Sequence, residues 1–175
     1  MSRASQYWPS AAALQEVLSC LLCCSPGALA ASGSADCTVA DKNSEAVATA
    51  SYLTSAPEEL LTAVTRLVAG ETDTCAQFEA EPTAYRWRFR RGGDDRVRVQ
   101  LLHLPDRRCH DEAGTEIWSS WQTTGTVVRA IIRAFDDVAY THRESGYEDK
   151  WRSPFPRDEL EKLGQAWRQA RQPAP

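Results

Sequence analysis

Residues that could bind a metal or move protons are concentrated in one short segment, HLPDRRCHDE, at positions 103–112. Imidazole, thiol and carboxylate groups are the side chains that coordinate zinc and act as general acids or bases, and here they are His103, Asp106, Cys109, His110, Asp111 and Glu112. Their spacing matches no known ligand pattern. The segment is therefore predicted to be a polar surface loop, with a small metal-dependent enzyme as an alternative.

No catalytic or nucleotide-binding signature accompanies this segment. The sequence contains no G-x-S-x-G, H-E-x-x-H, P-loop or G-x-G-x-x-G motif, although these are the patterns that position a nucleophile, a metal or a phosphate. We therefore predict no catalytic residues, no metal site and no cofactor. A chain of this kind is expected to act by binding rather than by catalysis.

Arginines dominate the middle of the chain. Positions 84–108 contain eight arginines and only three aspartates, although the whole chain carries a net charge of −4. Five of them alternate with apolar residues and should share one face of a sheet, namely Arg86, Arg88, Arg90, Arg96 and Arg98. Such a face can bind an acidic protein or a phosphate backbone, or it can be solvated and paired with neighbouring acids.

The aromatic residues of the same stretch argue against nucleic acid as the first choice. A sheet that reads nucleic acid stacks bases on aromatics of its binding face. Tyr85, Trp87 and Phe89 alternate with the arginines and are therefore predicted to point into the core. A protein partner is the leading prediction, and nucleic acid or another polyanion is the alternative.

Alternating patterns predict the strands that would carry these arginines. Residues 74–81 and 84–91 read as a hairpin turning at Pro82 and Thr83, which sets Phe78 opposite Trp87. A three-residue loop at 92–94 then sets Trp87 opposite Val99, with Arg88 beside Arg98 and Arg90 beside Arg96 on the outer face. Opposed like charges are destabilising, so we expect acids to compensate them. A fourth strand follows near EIWSSWQTT, with Trp118 and Trp121 on opposite faces.

Three helices complete the predicted fold. Ser55 and Glu58 read as a capping box, and Gly70 as the stop of the first helix. A long helix runs from about Thr124 to Gly146, and a last helix opens near Pro156. The predicted fold class is α+β, an antiparallel four-stranded meander with helices packed on one face, in the order α-β-β-β-β-α-α.

The first part of the chain is predicted to lie outside this domain. Residues 1–30 read either as a short helix or as a signal-like segment cleaved near Ala30, and residues 31–51 as a linker of low order. The apolar run at 17–24 holds Cys20 and Cys23, which are predicted to be buried or merely tolerated thiols rather than metal ligands. No run approaches the length of a membrane span. The domain is placed at 52–171 with a tail at 172–175, in a cytoplasmic protein or, alternatively, an exported one.

Three aromatics stand close together in the segment GYEDKWRSPFPRDEL, positions 146–160. Tyr147, Trp151 and Phe155 are predicted to form a hydrophobic clasp that packs the connection between the last two helices onto the domain, with a binding groove as the alternative.

This segment and YRWRFRRGGDDRVRV, at positions 85–99, together resemble a group of small uncharacterised bacterial proteins. In that group a Y-x-W-x-F strand precedes a long helix and a G-Y-x-x-x-W-x-x-P-F-P-x-x-x-L tail. The resemblance covers about residues 55–170 and implies an architecture without catalytic residues. We therefore expect a non-enzymatic interaction or regulatory domain of bacterial type. A toxin-neutralising, immunity-like protein is one form of it, by analogy with other small acidic proteins that lack catalytic motifs.

Overall fold

A computed structural model describes residues 34–172, which form two antiparallel sheets and three helices. The elements in chain order are β1 (Ser34–Ala40), β2 (Glu45–Ser51), α1 (Ala56–Val68), β3 (Asp73–Ala80), β4 (Thr83–Arg91), β5 (Arg96–Leu104), β6 (Thr115–Thr123), α2 (Thr124–Trp151) and α3 (Arg157–Ala170). No helix among these residues is long and apolar enough to cross a membrane. The predicted α+β class is confirmed.

The main sheet is the predicted meander, with strand order β3-β4-β5-β6. Its inner face presents Trp87, Phe89 and Trp118 to a core that also contains Leu61 of α1, Ile131 of α2 and Leu163 of α3. All three helices therefore pack on the inner face, as predicted. The arginines alternate with these core residues and lie on the opposite, outer face.

The strand pairings keep the predicted faces, but each register differs from the prediction by two residues. Phe78 lies opposite Tyr85 rather than Trp87, because the β3–β4 turn contains only Glu81 and Pro82. Trp87 lies opposite Leu101 rather than Val99. Because side chains alternate between faces, a shift of two residues leaves every side chain on its own face and changes only its cross-strand neighbour.

The β4–β5 turn lies one residue later than predicted. Gly92 N donates to Arg96 O at 2.7 Å, and Arg96 N donates to Gly93 O at 3.2 Å. The loop therefore consists of Gly93, Asp94 and Asp95, and both aspartates have φ of 57°. Aspartate is one of the few residues that visit this left-handed region readily, because its short side chain can hydrogen-bond locally. This displacement accounts for the two-residue change of register.

The prediction of a low-order linker at 31–51 is wrong for residues 34–51, which form the β1–β2 hairpin. Its inward side chains join the same core as the main sheet, and they are Cys37, Val39, Ala48 and Ala50. The turn is an Asx type, since the Asp41 carboxylate accepts hydrogen bonds from the backbone N–H groups of Asn43 and Ser44. These hydrogen bonds lower the pKa of Asp41, and the bond from Asn43 has the largest effect.

Helix α1 ends as predicted but begins differently. Gly70 has φ of 111° and its N–H donates to Leu67 O, while Glu71 N donates to Arg66 O, so the glycine terminates the helix in a Schellman-like arrangement. At the other end Ser55 is the N-cap, but its hydroxyl donates to Glu59 and no capping box forms. Burial of Glu58 raises the pKa of its carboxyl group. Ser55 and Glu58 have the spacing of a capping box, but the Glu58 side chain turns toward the protein interior and does not reach the N-cap.

Helix α2 is interrupted before the predicted stop. Arg143 has φ of 56° and ψ of 164°, and a second helical segment continues through Gly146 to Trp151. Tyr147 is therefore inside a helix and does not follow a C-terminal cap at Gly146. The left-handed residue that ends this segment is Arg152. Helix α3 opens after Pro156, as predicted.

Candidate interaction surface

All five predicted arginines lie on the outer face of the main sheet, but they fall into two groups. Arg86 and Arg88 have side chains that are only 17% and 18% exposed, whereas Arg90 and Arg98 are 45% and 38% exposed. The difference follows from what covers each end of the sheet. One end is overlaid by the loop at 105–114, and the other end is open.

The covered group is neutralised by the loop that the sequence singled out for its titratable residues. The Asp111 carboxylate pairs with both Arg86 and Arg88. The Arg86 guanidinium also donates to the Gln77 side chain at 2.5 Å and to Cys109 O at 3.2 Å. These two arginines therefore hold the loop in place and have little surface left for a partner.

The loop has a second attachment through apolar side chains. Ala84, Leu102 and Leu104 are buried, yet they do not belong to the main core. Leu104 lies against the loop at Gly114, where an added Cβ would approach its Cδ2 to 2.7 Å. Together with the Asp111 ion pairs, this cluster explains why a polar loop packs onto a charged sheet face.

Other candidate residues of the loop are occupied by structural contacts. His103 packs its ring against Tyr85 at a centroid distance of 5.2 Å. Asp106 accepts a hydrogen bond from Arg108 N at 2.8 Å. Among residues 34–172, no three histidine, cysteine or acidic side chains are grouped so that they could hold a metal ion.

The open group forms a continuous row across three strands. Arg90 of β4 lies opposite Arg98 of β5, which in turn lies opposite Trp121 of β6. The Arg96 guanidinium lies 5.5 Å from the centroid of the Trp121 ring, within the range of a cation–π contact. We refer to Arg90, Arg96, Arg98 and Trp121 as the arginine–tryptophan surface.

Trp121 was not among the predicted binding residues. The sequence placed Trp118 and Trp121 on opposite faces without fixing which one faced outward. The structure buries Trp118, whose indole N–H donates to Ser44 O at 3.3 Å, and leaves Trp121 48% exposed. The spacing showed that one of the two tryptophans lies on the outer face. Only the pairing of Arg98 with Trp121 shows that this residue is Trp121 and that it lies beside the arginines.

Acids beside the arginines provide the expected compensation for opposed like charges. Asp73 pairs with Arg88 at 2.7 Å and with Arg90 at 3.0 Å, and Glu116 pairs with Arg98 at 3.2 Å. A hydrogen bond from Ser119 is the main cause that lowers the pKa of Glu116. The acids hold the guanidinium groups in position while leaving them partly exposed.

The turn next to Trp121 has a shape that admits its ring. A Cβ at Gly92 would lie 2.8 Å from Cζ3 of the indole. Such a distance is well inside van der Waals contact, so only glycine allows the ring to lie against the turn in this position. The ring is therefore held between the Gly92 backbone and the Arg96 guanidinium, with its remaining surface open.

The aromatic clasp lies elsewhere in the molecule. Tyr147, Trp151 and Phe155 are buried and belong to the main core on the inner side of the sheet. The Tyr147 ring stacks on Trp151 at 6.1 Å and meets Phe155 edge-on at 5.3 Å. The structure therefore does not bring these predicted binding residues together with the arginines. It places them where they pack the end of α2 against the domain.

Comparisons with known proteins add little to this geometry. No family model matches the sequence, and no curated protein matches it significantly. Among solved structures, a chain of the CdiA-CT/CdiI toxin and immunity complex from Enterobacter cloacae is similar over 59% of this chain and 88% of its own length. The identity is 12% and the TM-score 0.41.

Proposed function

We propose that this chain is a non-enzymatic interaction domain that binds an acidic surface of a protein partner through the arginine–tryptophan surface. Neutralisation of a toxin, as by an immunity protein, is the biological role that we propose for this binding. The observation that carries the proposal is the exposed indole of Trp121, which lies against the Arg96 guanidinium and is paired across the strands with Arg98. Tryptophan and arginine are the residue types that most often dominate protein–protein binding energy.

The geometry of this surface favours binding because its side chains are already ordered. The Trp121 ring is held by Gly92 and Arg96, and Arg90 and Arg98 are held by Asp73 and Glu116. Side chains that are ordered before binding lose less conformational entropy on association. A partner that covers the open side of the ring and presents carboxylates to the guanidinium groups gains both apolar burial and charge-assisted hydrogen bonds.

Trp121→Ala is expected to raise the Kd for the protein partner by about 30-fold or more, which corresponds to about 2 kcal/mol for a residue at the centre of an interface. The partner is first isolated by affinity purification on the wild-type chain and identified by mass spectrometry. Its Kd for each variant is then measured by calorimetry.

The matched control is Tyr140→Ala, which removes an aromatic ring that is 90% exposed on α2, away from the outer sheet face. It should leave the Kd unchanged. Equal affinities for the wild type and Trp121→Ala would refute this binding surface. The immunity role has its own readout, since co-expression with a toxic partner should protect growth in the wild type and in Tyr140→Ala but not in Trp121→Ala.

Single-stranded nucleic acid is the second candidate, and the outward position of Trp121 favours it. Trp121 is an exposed aromatic residue on the same face as the arginines, where a base can stack on it. The sequence pattern alone had not identified an aromatic residue on that face. Asp73 and Glu116 weigh against it, because carboxylates beside the arginines repel phosphates. If three arginines contact phosphates, the logarithm of the binding constant should fall with the logarithm of salt at a slope of about −2. Fluorescence anisotropy with a labelled oligonucleotide tests this, and absent binding at low salt excludes it.

A further inference from the structure

A groove separate from the arginine–tryptophan surface opens where α2 begins. Its volume is about 610 Å³, and it lies between the C-terminal ends of α1 and α3, the β4–β5 loop and the first turn of α2. Small-molecule sites in proteins usually have volumes of about 300 to 1,000 Å³. The groove is therefore large enough for a small ligand. Its charged lining residues are Arg91, Asp95, Arg129 and Arg171.

The three arginines of this groove carry charges that no acid within residues 34–172 neutralises. The ion pairs among these residues all involve other basic side chains. Asp95 is the one acid among the described residues that line the groove, and it lies beyond ion-pair distance of each guanidinium group. The lining therefore has a surplus of two positive charges, although the whole chain carries a net charge of −4.

Arg91 is fixed in the wall of the groove. Its Nη2 donates to Leu67 O at 2.6 Å, in the last turn of α1, and its Nε is buried without a partner among the described residues. A guanidinium group that is partly removed from water costs free energy, because its charge loses hydration and gains no opposite charge in return. An anion bound in the groove would reduce this cost.

The other two arginines of the groove meet at the ring of Trp167. A Cβ at Gly125 would lie 3.1 Å from Arg129 Nη1 and 3.2 Å from Trp167 Cη2, so both side chains lie over the first turn of α2. The Arg171 guanidinium lies 5.6 Å from the centroid of the same ring, within the range of a cation–π contact. Two guanidinium groups are therefore held close to one ring despite their like charge.

We propose that this groove binds a small organic phosphate. The planar guanidinium group of arginine donates paired N–H bonds that match two oxygens of a phosphate group. A phosphate monoester carries about −1.5 to −2 charges at pH 7, which balances the surplus of the groove, whereas a single carboxylate would leave half of it. Val68, Trp167 and Ala170 supply apolar surface beside the arginines, and the carbon part of the ligand can be buried against it.

Isothermal titration calorimetry at low ionic strength tests the proposal, with phenyl phosphate as the probe. Phenyl phosphate should bind at least about tenfold more tightly than inorganic phosphate, which has no ring to bury, and than benzoate, which carries a single charge. Arg129→Gln should raise the Kd for phenyl phosphate by at least about tenfold, because it removes charge-assisted hydrogen bonds to the phosphate.

The matched control is Arg133→Gln, which removes an exposed arginine one turn further along α2 and outside the groove. It should leave the Kd unchanged. Arg129 is exposed as well, so both variants should keep the melting temperature of the wild type, and a difference in Kd between them then reports on the groove.

Nuclear magnetic resonance shows where the probe binds. The indole N–H signal of Trp167, assigned with Trp167→Phe, should shift during titration with phenyl phosphate. Any of four results would overturn the proposal: no binding of phenyl phosphate at low ionic strength, equal Kd values for Arg129→Gln and Arg133→Gln, equal affinities for phenyl phosphate and benzoate, or a shift of the Trp121 signal in place of Trp167. The last result would place the anion on the arginine–tryptophan surface.

Discussion

Trp151→Ala is expected to lower the free energy of unfolding by about 4 kcal/mol, because truncating a buried tryptophan removes its apolar burial and leaves a cavity. Trp151 is 2% exposed, and it is the largest member of an aromatic row. Its ring stacks on Tyr147, Tyr147 meets Phe155 edge-on, and Phe155 lies 6.3 Å from Phe135 of α2. Loss of the first ring should loosen the whole row, which packs Phe155, in the connection between α2 and α3, against α2.

Chemical denaturation of the wild type and the variant measures this effect. Tyr140→Ala is the control, because it truncates an aromatic of the same helix that is 90% exposed, and it should change the free energy of unfolding by no more than about 0.5 kcal/mol. Trp151→Phe keeps an aromatic ring in the site and should lose less than the alanine variant. A normally stable Trp151→Ala protein that fails to bind its partner would contradict the clasp and make these aromatics a binding groove.

The faces of the main sheet were predictable from the sequence because they depend only on alternation. Trp87 and Phe89 point inward, and Arg88 and Arg90 point outward. A pairing shifted by two residues leaves each of these side chains on the same face of the sheet. The exact neighbours were not predictable, because they depend on turn length. A turn of Glu81 and Pro82 and a loop beginning at Gly93 fix which residues oppose each other.

This dependence on turns explains why the candidate surface was only partly found. The arginines of the outer face can be recognised from their number and their alternation with apolar residues in the sequence. Trp121 becomes their neighbour only through the pairing with Arg98. Arg86 and Arg88 both pair with Asp111 in the covering loop, more than twenty residues further along the chain. Long-range contacts of this kind leave no periodic trace in a single sequence.

The break in α2 shows a different limit. Sequence reasoning assigns the end of a helix to glycine because glycine adopts positive φ without steric cost. The structure places the positive φ at Arg143, and Gly146 remains helical. Nothing in the residues around Arg143 distinguishes it as the point of interruption.

The hairpin β1–β2 was missed because its inward side chains are small. Cys37, Ala48 and Ala50 bury little apolar area each, and alanine is depleted in strands. The alternation is present in SADCTVA and EAVATAS, but its contrast is weak. Val39 is the largest inward residue of the hairpin and is fully buried. It is therefore the residue on which the attachment of residues 34–51 to the core can be tested.

Val39→Asp is expected to lower the free energy of unfolding by about 4 kcal/mol or more, because it places a carboxylate in an apolar core without a partner. Val47→Asp is the matched control. It makes the same substitution in the paired strand at a valine that is 44% exposed, and it should cost no more than about 0.5 kcal/mol. Denaturant titration followed by tryptophan fluorescence measures both values.

A milder change keeps the experiment informative if Val39→Asp does not fold. Val39→Thr preserves the shape of the side chain and buries one hydroxyl, which should cost about 1 to 3 kcal/mol. The order of stability should then be Val47→Asp above Val39→Thr above Val39→Asp. Equal stabilities would mean that residues 34–51 contribute nothing to the core, and that the domain begins after them. The predicted order would instead show that the hairpin is part of the core. The loss in free energy of unfolding would then depend on whether the introduced aspartate lies on the buried or the exposed face of the hairpin.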